Sequence, residues 1–279
     1  MNARGVRAGE GRVCIMLDVL RASSTMLAMF EAGAQELRLA ETPEAALALA
    51  DGRRDDFWIC GERQALKVEG FDYGNSPAEV SAADLSGRDI LYVTSNGTGA
   101  LRSLAGAPVV LVGSPRNEVA VVRQALREAA ARACNILIVC AGDQAGYGIS
   151  LEDAFVAGML VERLVRLNPR RVTPEDGSAD AEVLALDDSA IVAHRLFRSY
   201  LGPSTMSSSG PVPPHATSET VLTMFSEARS GRHLPSVGLG ADLEYCAEID
   251  VTTVVPRLDV RGEQLVVVAQ GPGEPRGDE

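Results

Sequence analysis

The chain has 279 residues, enough for one large domain or two small ones with a substantial buried core. Its formal net charge of -12 argues against a general affinity for nucleic acid or for an anionic membrane, but not against a small anionic substrate. The five cysteines are odd in number and lack a Cys-x-x-Cys pair, which favours free thiols over disulfides or a zinc site. We identify no signal peptide and no apolar run long enough to cross a bilayer, so we expect a cytoplasmic protein.

The first clear pattern is a short apolar run that ends in an acid. Residues 13–17 predict a buried parallel strand, Asp18 follows it, and a helix is predicted over residues 26–32. Residues 23–25 are two serines and a threonine, which are favourable N-cap residues. Open α/β sheets bind ligands at such strand ends, where a helix N-terminus and Arg21 can bind an anion and Asp18 can bind Mg²⁺. The alternative is a capped helix whose acid lies in solvent.

Residues 61–77 combine charges of both signs with three glycines and show neither helical nor strand periodicity, which predicts an ordered loop. This loop follows a strand predicted over residues 57–60, so we expect it at the same sheet edge as Asp18. Lys67 is the only lysine in the chain. An ammonium can bind phosphate as a point charge or give up a proton, so Lys67 indicates a functional site. The alternative is a surface lysine retained by chance.

Later segments continue the alternation of strands and helices. Strand followed by helix, repeated over the first 160 residues, predicts a three-layer α/β fold with a mainly parallel sheet and flanking helices. The further predicted strands cover residues 35–40, 89–93, 109–112, 135–140 and 251–255, and the further predicted helices cover residues 43–50, 119–133, 151–167, 181–200 and 218–229.

Two later strand ends also carry polar residues. The loop at 94–99 is rich in small, hydroxyl-bearing and glycine residues, so its backbone N–H groups can approach an anion, although it is not a Walker A loop. Ser150 and Asp153 form a pattern similar to a capping box at the start of a helix. Glu152 and Asp153 are therefore either structural acids or members of the same cleft as Asp18.

Five sets of motifs occur in order along residues 12–258. They are DVLRASST at 18–25, GER at 61–63 with Lys67 and GFDYGNSP at 70–77, TSNGT at 94–98, CAG at 140–142 with LED at 151–153, and DLEYCA at 242–247 with Asp250 and VP at 255–256. In this combination the chain resembles the 2-phosphosulfolactate phosphatases, a Mg²⁺-dependent family linked to coenzyme M biosynthesis.

The resemblance implies hydrolysis of (2R)-2-phospho-3-sulfolactate, or of a related 2-hydroxy acid phosphate, to (2R)-3-sulfolactate and phosphate. It implies the 2-phosphosulfolactate phosphatase-like fold, with one α/β catalytic unit over residues 12–258. As an alternative, this unit consists of two α/β halves that meet near residues 115–135. Residues 259–279 are then a C-terminal extension with a disordered end. The expected partner is a small anionic phosphate ester, not nucleic acid or a membrane, and a homodimer is a further option.

The predicted site residues fall into three groups. We expect the catalytic groups to be Asp18, Arg21, Glu62, Arg63, Lys67 and Asp72. We expect substrate and phosphate to contact Ser23, Ser24, Asn75, Ser76, Asn96, Gly97 and Thr98. We expect Mg²⁺, which would polarise the phosphoryl oxygens, to be held by Asp18, Glu62, Glu152 and Asp153.

Other reaction classes fit the sequence less well. A haloacid dehalogenase requires Asp-x-Asp, but Leu20 stands at the second acid. Neither the Cys-x5-Arg motif of cysteine phosphatases nor the Arg-His-Gly motif of histidine acid phosphatases occurs. A dinucleotide-binding oxidoreductase is disfavoured because no Gly-x-Gly-x-x-Gly follows a strand. A non-catalytic protein that binds a phosphorylated metabolite stays open as the alternative function.

Overall fold

The computed structural model describes residues 9–142, 148–167, 185–201 and 216–270. Within these ranges the strands are β1 Val13–Leu17, β2 Glu36–Leu39, β3 Phe57–Arg63, β4 Leu66–Lys67, β5 Asp89–Val93, β6 Val109–Gly113, β7 Ile136–Cys140, β8 Val255–Arg261 and β9 Gln264–Gln270. The helices are α1 Ala22–Glu31, α2 Pro43–Ala50, α3 Pro77–Val80, α4 Gly97–Ser103, α5 Glu118–Arg132, α6 Leu151–Leu167, α7 Asp188–Ser199, α8 Ser218–Glu227, α9 Arg229–Ser236 and α10 Ala241–Ala247.

The strands form one nine-stranded sheet in the order β4-β3-β5-β2-β9-β8-β6-β1-β7. The pairs β1–β6, β1–β7, β2–β5 and β3–β5 are parallel, whereas β2–β9, β3–β4, β6–β8 and β8–β9 are antiparallel. The prediction of an α/β fold with flanking helices is confirmed, but the sheet is mixed and not mainly parallel. The reason is the β8–β9 hairpin, which enters the middle of the sheet with antiparallel neighbours on both sides.

This hairpin also changes the predicted C-terminal boundary. The strand predicted over 251–255 begins only at Val255 as β8, and β9 was not predicted at all. Residues 259–270, assigned from the sequence to an extension, are therefore central strands of the sheet. Residues 271–279, with the predicted disordered end, lie outside the described residues. A division of the chain into two halves stays a prediction.

Alternate residues of β1 pack on opposite faces of the sheet, which creates the three layers. Val13, Ile15 and Leu17 join a core with residues of α5, α6 and α8. Cys14 and Met16 join a second core with residues of α1 and α4. Because β1 is buried on both faces, Asp18 at its end is held by a rigid centre of the fold.

The charged stretch after β3 is more regular than its sequence indicates. β3 continues to Arg63 and turns back through Gln64 and Ala65, which both have positive φ, into β4. This two-residue turn has the backbone signs of a type I′ hairpin, although neither residue is Gly or Asn. A Cβ at Gly61 would lie 2.1 Å from the Val93 carbonyl oxygen, so only glycine allows β3 to approach β5 here. The predicted loop at 61–77 therefore begins as a strand pair.

Helix boundaries also differ from the predictions in places. Helix α1 begins at Ala22, four residues early, so residues 23–25 lie inside the helix and do not cap it. The helix predicted over 218–229 is confirmed as α8, which ends two residues early at Glu227, whereas α9 and α10 were not predicted. The first part of the helix predicted over 181–200 lies outside the described residues. Among the helices that the structure describes, none is both long and apolar enough to cross a membrane.

Candidate functional site

Asp18 lies at the carboxyl end of β1 and is 9% exposed. Its Oδ1 accepts a weak hydrogen bond from the Ala22 N–H at 3.4 Å, and its own N–H donates to Ser23 Oγ at 3.1 Å. The pKa of Asp18 is raised to about 7, chiefly by burial and also by the charges of Glu62 and Glu152, while the Ala22 hydrogen bond and Arg21 act in the opposite direction. A carboxyl group with this environment is stabilised by any cation that approaches it.

Two acids at the start of α6 lie beside Asp18. The Asp153 N–H donates to Ser150 Oγ at 3.1 Å, which confirms the predicted cap. Asp153 Oδ1 also accepts from the Val19 N–H at 2.9 Å and so ties α6 to the segment after β1. Burial, followed by the charges of Asp18 and Glu152, holds the pKa of Asp153 well above its usual range. Asp153 therefore has a structural role and also belongs to the cleft, whereas Glu152 is placed by the structure only in the cleft.

A small cavity of about 90 Å³ lies at this edge of the sheet, a size suited to a compact ligand and not to a polymer. Its polar wall includes Asp18, Asn96, Glu152, Asp153, Arg229 and Ser230. The structure thus brings together predicted residues from β1, α4 and α6. Arg229 and Ser230 come from α9 and were not predicted, because their distance along the chain from the other motifs hides their proximity.

Glu62 lies next to this wall without lining the cavity. Its two oxygens accept hydrogen bonds from the backbone N–H groups of Ala65, at 2.8 Å, and Ser95, at 2.6 Å. These bonds join the β3–β4 hairpin to the loop before α4. The effect of its charge on the pKa of Asp18 places Glu62 within electrostatic reach of the site.

Arg21 is 4% exposed and bound to the protein itself. Its Nη1 donates to Asp242 Oδ2 at 2.8 Å and its Nη2 donates to the Ala65 carbonyl at 2.6 Å. Asp242 Oδ1 in turn accepts from Ser76 Oγ at 2.6 Å. Asp242 was quoted from the sequence only as part of a motif. No local sequence pattern indicated that Asp242 pairs with Arg21, which lies 221 positions earlier in the chain.

Several predicted phosphate-binding side chains are buried in internal hydrogen bonds. Asn75 Oδ1 accepts from the Tyr92 hydroxyl at 2.6 Å, and Ser24 Oγ lies 3.0 Å from Ser114 Oγ. Ser23 and Thr98 are also buried and are bonded within their own segments. None of these four predicted residues lines the cavity in the described part of the chain, so they support its walls.

Gly97 is packed directly behind Asp18. A Cβ at this position would lie 2.8 Å from Asp18 Oδ2 and 2.7 Å from Ala22 Cβ. The neighbouring Asn96 lines the cavity. The predicted loop at 94–99 therefore contacts the site through Asn96 and the backbone of Gly97.

The remaining predicted residues lie on the β3–β4 hairpin or in the loop that follows it. Arg63 pairs with Glu44 at 2.6 Å, and both side chains are more than half exposed. Lys67 is exposed, and its Nζ donates to the Asp72 carbonyl at 3.4 Å. Asp72 itself accepts from the Ile59 N–H at 2.8 Å. Within the described residues none of the three predicted groups lines the cavity, and their role in substrate binding stays a prediction.

The donor set at the cavity fits Mg²⁺ by its chemistry. No three His, Cys, Asp or Glu side chains in the described ranges are already grouped as a metal site. Mg²⁺ usually takes one or two carboxylates and completes its shell with water and substrate oxygens. Asp18, Glu152 and Asp153 offer carboxylate oxygens, and burial raises the pKa of Asp18 and of Asp153, which a bound cation would reverse.

Comparison with known proteins identifies the family of this chain. Residues 5–210 match the model of a protein family described as 2-phosphosulpholactate phosphatase. A protein of Thermus thermophilus named "Probable 2-phosphosulfolactate phosphatase" is 35% identical over 256 residues, 91% of each chain. One of Deinococcus radiodurans with the same name is 34% identical over 247 residues, 88% of this chain and 87% of its own. The chain therefore belongs to the 2-phosphosulfolactate phosphatase family.

Proposed function

We propose that this protein is a phosphoric monoester hydrolase whose substrate is (2R)-2-phospho-3-sulfolactate or a close 2-hydroxy acid relative. In the reaction, water attacks phosphorus, the P–O bond to the substrate carbon skeleton breaks, and the hydroxy acid and phosphate are released. The observation that supports this proposal most strongly is the set of buried carboxyl groups of Asp18, Glu152 and Asp153 around one small cavity. Membership of the family supports the substrate class.

Mg²⁺ is the proposed cofactor, with Asp18, Glu152 and Asp153 as the residues that would hold it. When bound, the ion supplies positive charge to the phosphoryl oxygens, on which negative charge is concentrated during transfer. The protein residues fix this site in advance. Asp153 is held by Ser150 and by the Val19 N–H, and Gly97 lets the start of α4 pack against Asp18. Such preorganisation reduces the reorganisation needed during reaction.

The polar residues on the cavity wall have complementary tasks. The Asn96 amide can donate to a phosphoryl oxygen, since it lines the cavity beside Asp18. Glu62, with both oxygens bonded to backbone N–H groups, keeps the hairpin and the loop before α4 in place. Leu20 and Ile149 line the same cavity and give it an apolar part.

The direct test is phosphate release from 2-phosphosulfolactate, 2-phospholactate and phosphoglycolate, first with Mg²⁺ and then with EDTA. We expect Mg²⁺-dependent release that favours the sulfonate. Asp18→Asn should lower kcat by about 10²–10³ or more, because it removes charge stabilisation from the reacting group. Its circular dichroism spectrum should match that of the wild type. Normal turnover by Asp18→Asn would refute the role of Asp18.

Two outcomes redirect the proposal. Equal release from all three esters would keep the phosphatase and remove the sulfonate preference. Tight binding without release from any ester would favour the non-catalytic phosphometabolite-binding protein. A link to coenzyme M biosynthesis, a cytoplasmic location and a homodimer stay predictions from the sequence.

A further inference from the structure

The cavity presents a problem of charge. Its wall carries Asp18, Glu152 and Asp153, while the proposed substrate has a phosphate and further anionic groups on its carbon skeleton. Mg²⁺ can balance the phosphate, but the other anions need a second cation. Among the residues that the structure describes, the three basic groups predicted from the sequence do not line the cavity.

Those three groups make their contacts away from the residues that line the cavity. Arg21 is buried against Asp242, Arg63 pairs with Glu44, and the exposed Lys67 donates to the Asp72 carbonyl oxygen. The basic side chain that does line the cavity belongs to Arg229. The match to the family model ends at residue 210, so this arginine lies outside the matched segment.

Arg229 is the first residue of α9, where a cation gives the helix no benefit. The helix dipole is positive at this end, and acids are the favourable residues there. The first turn of α9 contains no acid, and its N-cap residue Ala228 makes no side-chain cap. A local departure of this kind is expected at functional sites. The positive end of α9 and the guanidinium of Arg229 together add positive potential to the cavity wall.

The junction of α8 and α9 holds Arg229 in place. The Ala228 N–H donates to the Phe225 carbonyl at 3.0 Å, and a Cβ at Gly231 would lie 1.7 Å from the same oxygen. Phe225 is fully buried and Leu234, one turn into α9, is buried too. The start of α9 is therefore fixed on the core, as a binding residue requires.

We propose that Arg229 binds the carboxylate or sulfonate on the carbon skeleton of the substrate and so selects doubly anionic phosphate esters. This inference rests on the proposed function and assigns a specificity residue within it. The planar guanidinium matches the paired oxygens of either group through two parallel hydrogen bonds. The carboxylates and Mg²⁺ hold the phosphoryl group at the same time.

The test measures binding of 3-sulfolactate by isothermal titration calorimetry, without any turnover. Arg229→Gln should weaken binding by about 10–100-fold, the effect expected for charge-assisted hydrogen bonds. Arg229→Lys keeps the positive charge but loses the planar guanidinium that donates two parallel hydrogen bonds. Its affinity for 3-sulfolactate should therefore lie between those of the wild type and Arg229→Gln. Arg232→Gln is the matched control, because Arg232 lies on the same helix, donates to the Glu227 carbonyl and does not line the cavity.

Kinetics give a second measure. With 2-phosphosulfolactate, Arg229→Gln should raise KM with little change in kcat, the pattern of lost uniform binding. With glycerol 2-phosphate, which has no anion besides the phosphate, wild type and Arg229→Gln should have the same kcat/KM. An equal loss with both esters would overturn the assignment to the carbon skeleton.

The outcomes separate the two proposals. Wild-type affinity for 3-sulfolactate in Arg229→Gln, with phosphate release intact, would overturn the inference alone. If the wild type releases no phosphate but Arg229→Gln still loses sulfolactate binding, the hydrolase proposal fails and the role of Arg229 stands. If the wild type neither releases phosphate nor binds 3-sulfolactate, both are overturned.

Discussion

Arg21 and Asp242 form a buried ion pair, with 2.8 Å between Nη1 and Oδ2 and side chains that are 3% and 1% exposed. The pair joins the segment after β1 to α10. Because Asp242 also accepts from Ser76 Oγ, the same contact fixes the loop before α3. Asp242 therefore joins three segments that are far apart in the sequence.

We expect Asp242→Ala to lower the free energy of unfolding by about 3–5 kcal/mol, because it leaves the Arg21 charge buried without a partner. Urea unfolding followed by circular dichroism measures this loss. Glu44→Gln removes the exposed partner of Arg63 and serves as the control, with little change expected. A similar effect from both variants would contradict the importance of burial.

Two glycines of α4 should respond in opposite ways to alanine. Gly99→Ala should stabilise the protein by about 0.5–1 kcal/mol, because nothing lies within 4 Å of the added Cβ and alanine favours the helix. Gly97→Ala should destabilise it and reduce kcat/KM, because its Cβ would meet Ala22 and Asp18. Thermal unfolding and a phosphate-release assay check both. Equal shifts in Tm would show that packing behind Asp18 is loose.

The pH dependence of folding stability should reveal the ionisation of the Asp18 carboxyl group. Burial raises its pKa from 3.8 in the unfolded chain to about 7 in the folded protein, so the folded state binds its proton more tightly. In metal-free protein the stability contributed by this group is therefore present below pH 4 and is lost as pH rises towards 7. Melting curves recorded between pH 4 and 8 should show a smaller decrease in Tm with rising pH for Asp18→Asn than for the wild type.

Glu118 is the necessary comparison in this experiment, because burial also raises its pKa to about 7. Glu118 pairs with Arg163 and does not line the cavity. Its ionisation should therefore lower Tm as pH rises in Asp18→Asn as well as in the wild type. Added Mg²⁺ should raise Tm more at pH 8 than at pH 5, since protons and metal compete for the same carboxylates. An Mg²⁺ effect independent of pH would contradict the proposed ligands.

Lys67→Arg tests the hypothesis that the only lysine of the chain is functional. The structure places Lys67 in an exposed position, so arginine should retain kcat/KM within about threefold. Asp18→Asn, measured in parallel, gives the scale for a residue inside the site. A loss of about 100-fold or more for Lys67→Arg would support the sequence-based assignment and place the hairpin next to bound substrate.

The sequence was informative where chemistry and structure share one short segment. The apolar run before Asp18 predicted β1 and the position of Asp18 at the carboxyl end of this strand, and the Ser150 cap predicted the start of α6. The serines after Arg21 misled the prediction of the α1 start, because their hydroxyls bond to carbonyls of the preceding turn or to the Asp18 N–H instead of capping the helix.

Contacts between distant segments were not predictable in the same way. The pairing of Arg21 with Asp242, and the arrival of Arg229 at the cavity, depend on how α9 and α10 pack, which no local pattern reports. The β8–β9 hairpin was missed for a related reason. Its seven-residue strands pair with β6 and β2, which are distant in the sequence, so no local pattern shows that they belong to the centre of the sheet.

The β8–β9 hairpin has a consequence for the order of events during synthesis. It lies between β2 and β6, so until residues 255–270 leave the ribosome the sheet consists of two separate pieces, β4-β3-β5-β2 and β6-β1-β7. Each piece then exposes an unpaired inner edge, which favours pairing with other chains. Completion of the fold is thus delayed until both strands of the hairpin have been synthesised, and a chain cut before Val255 would lack the strands that join its two parts.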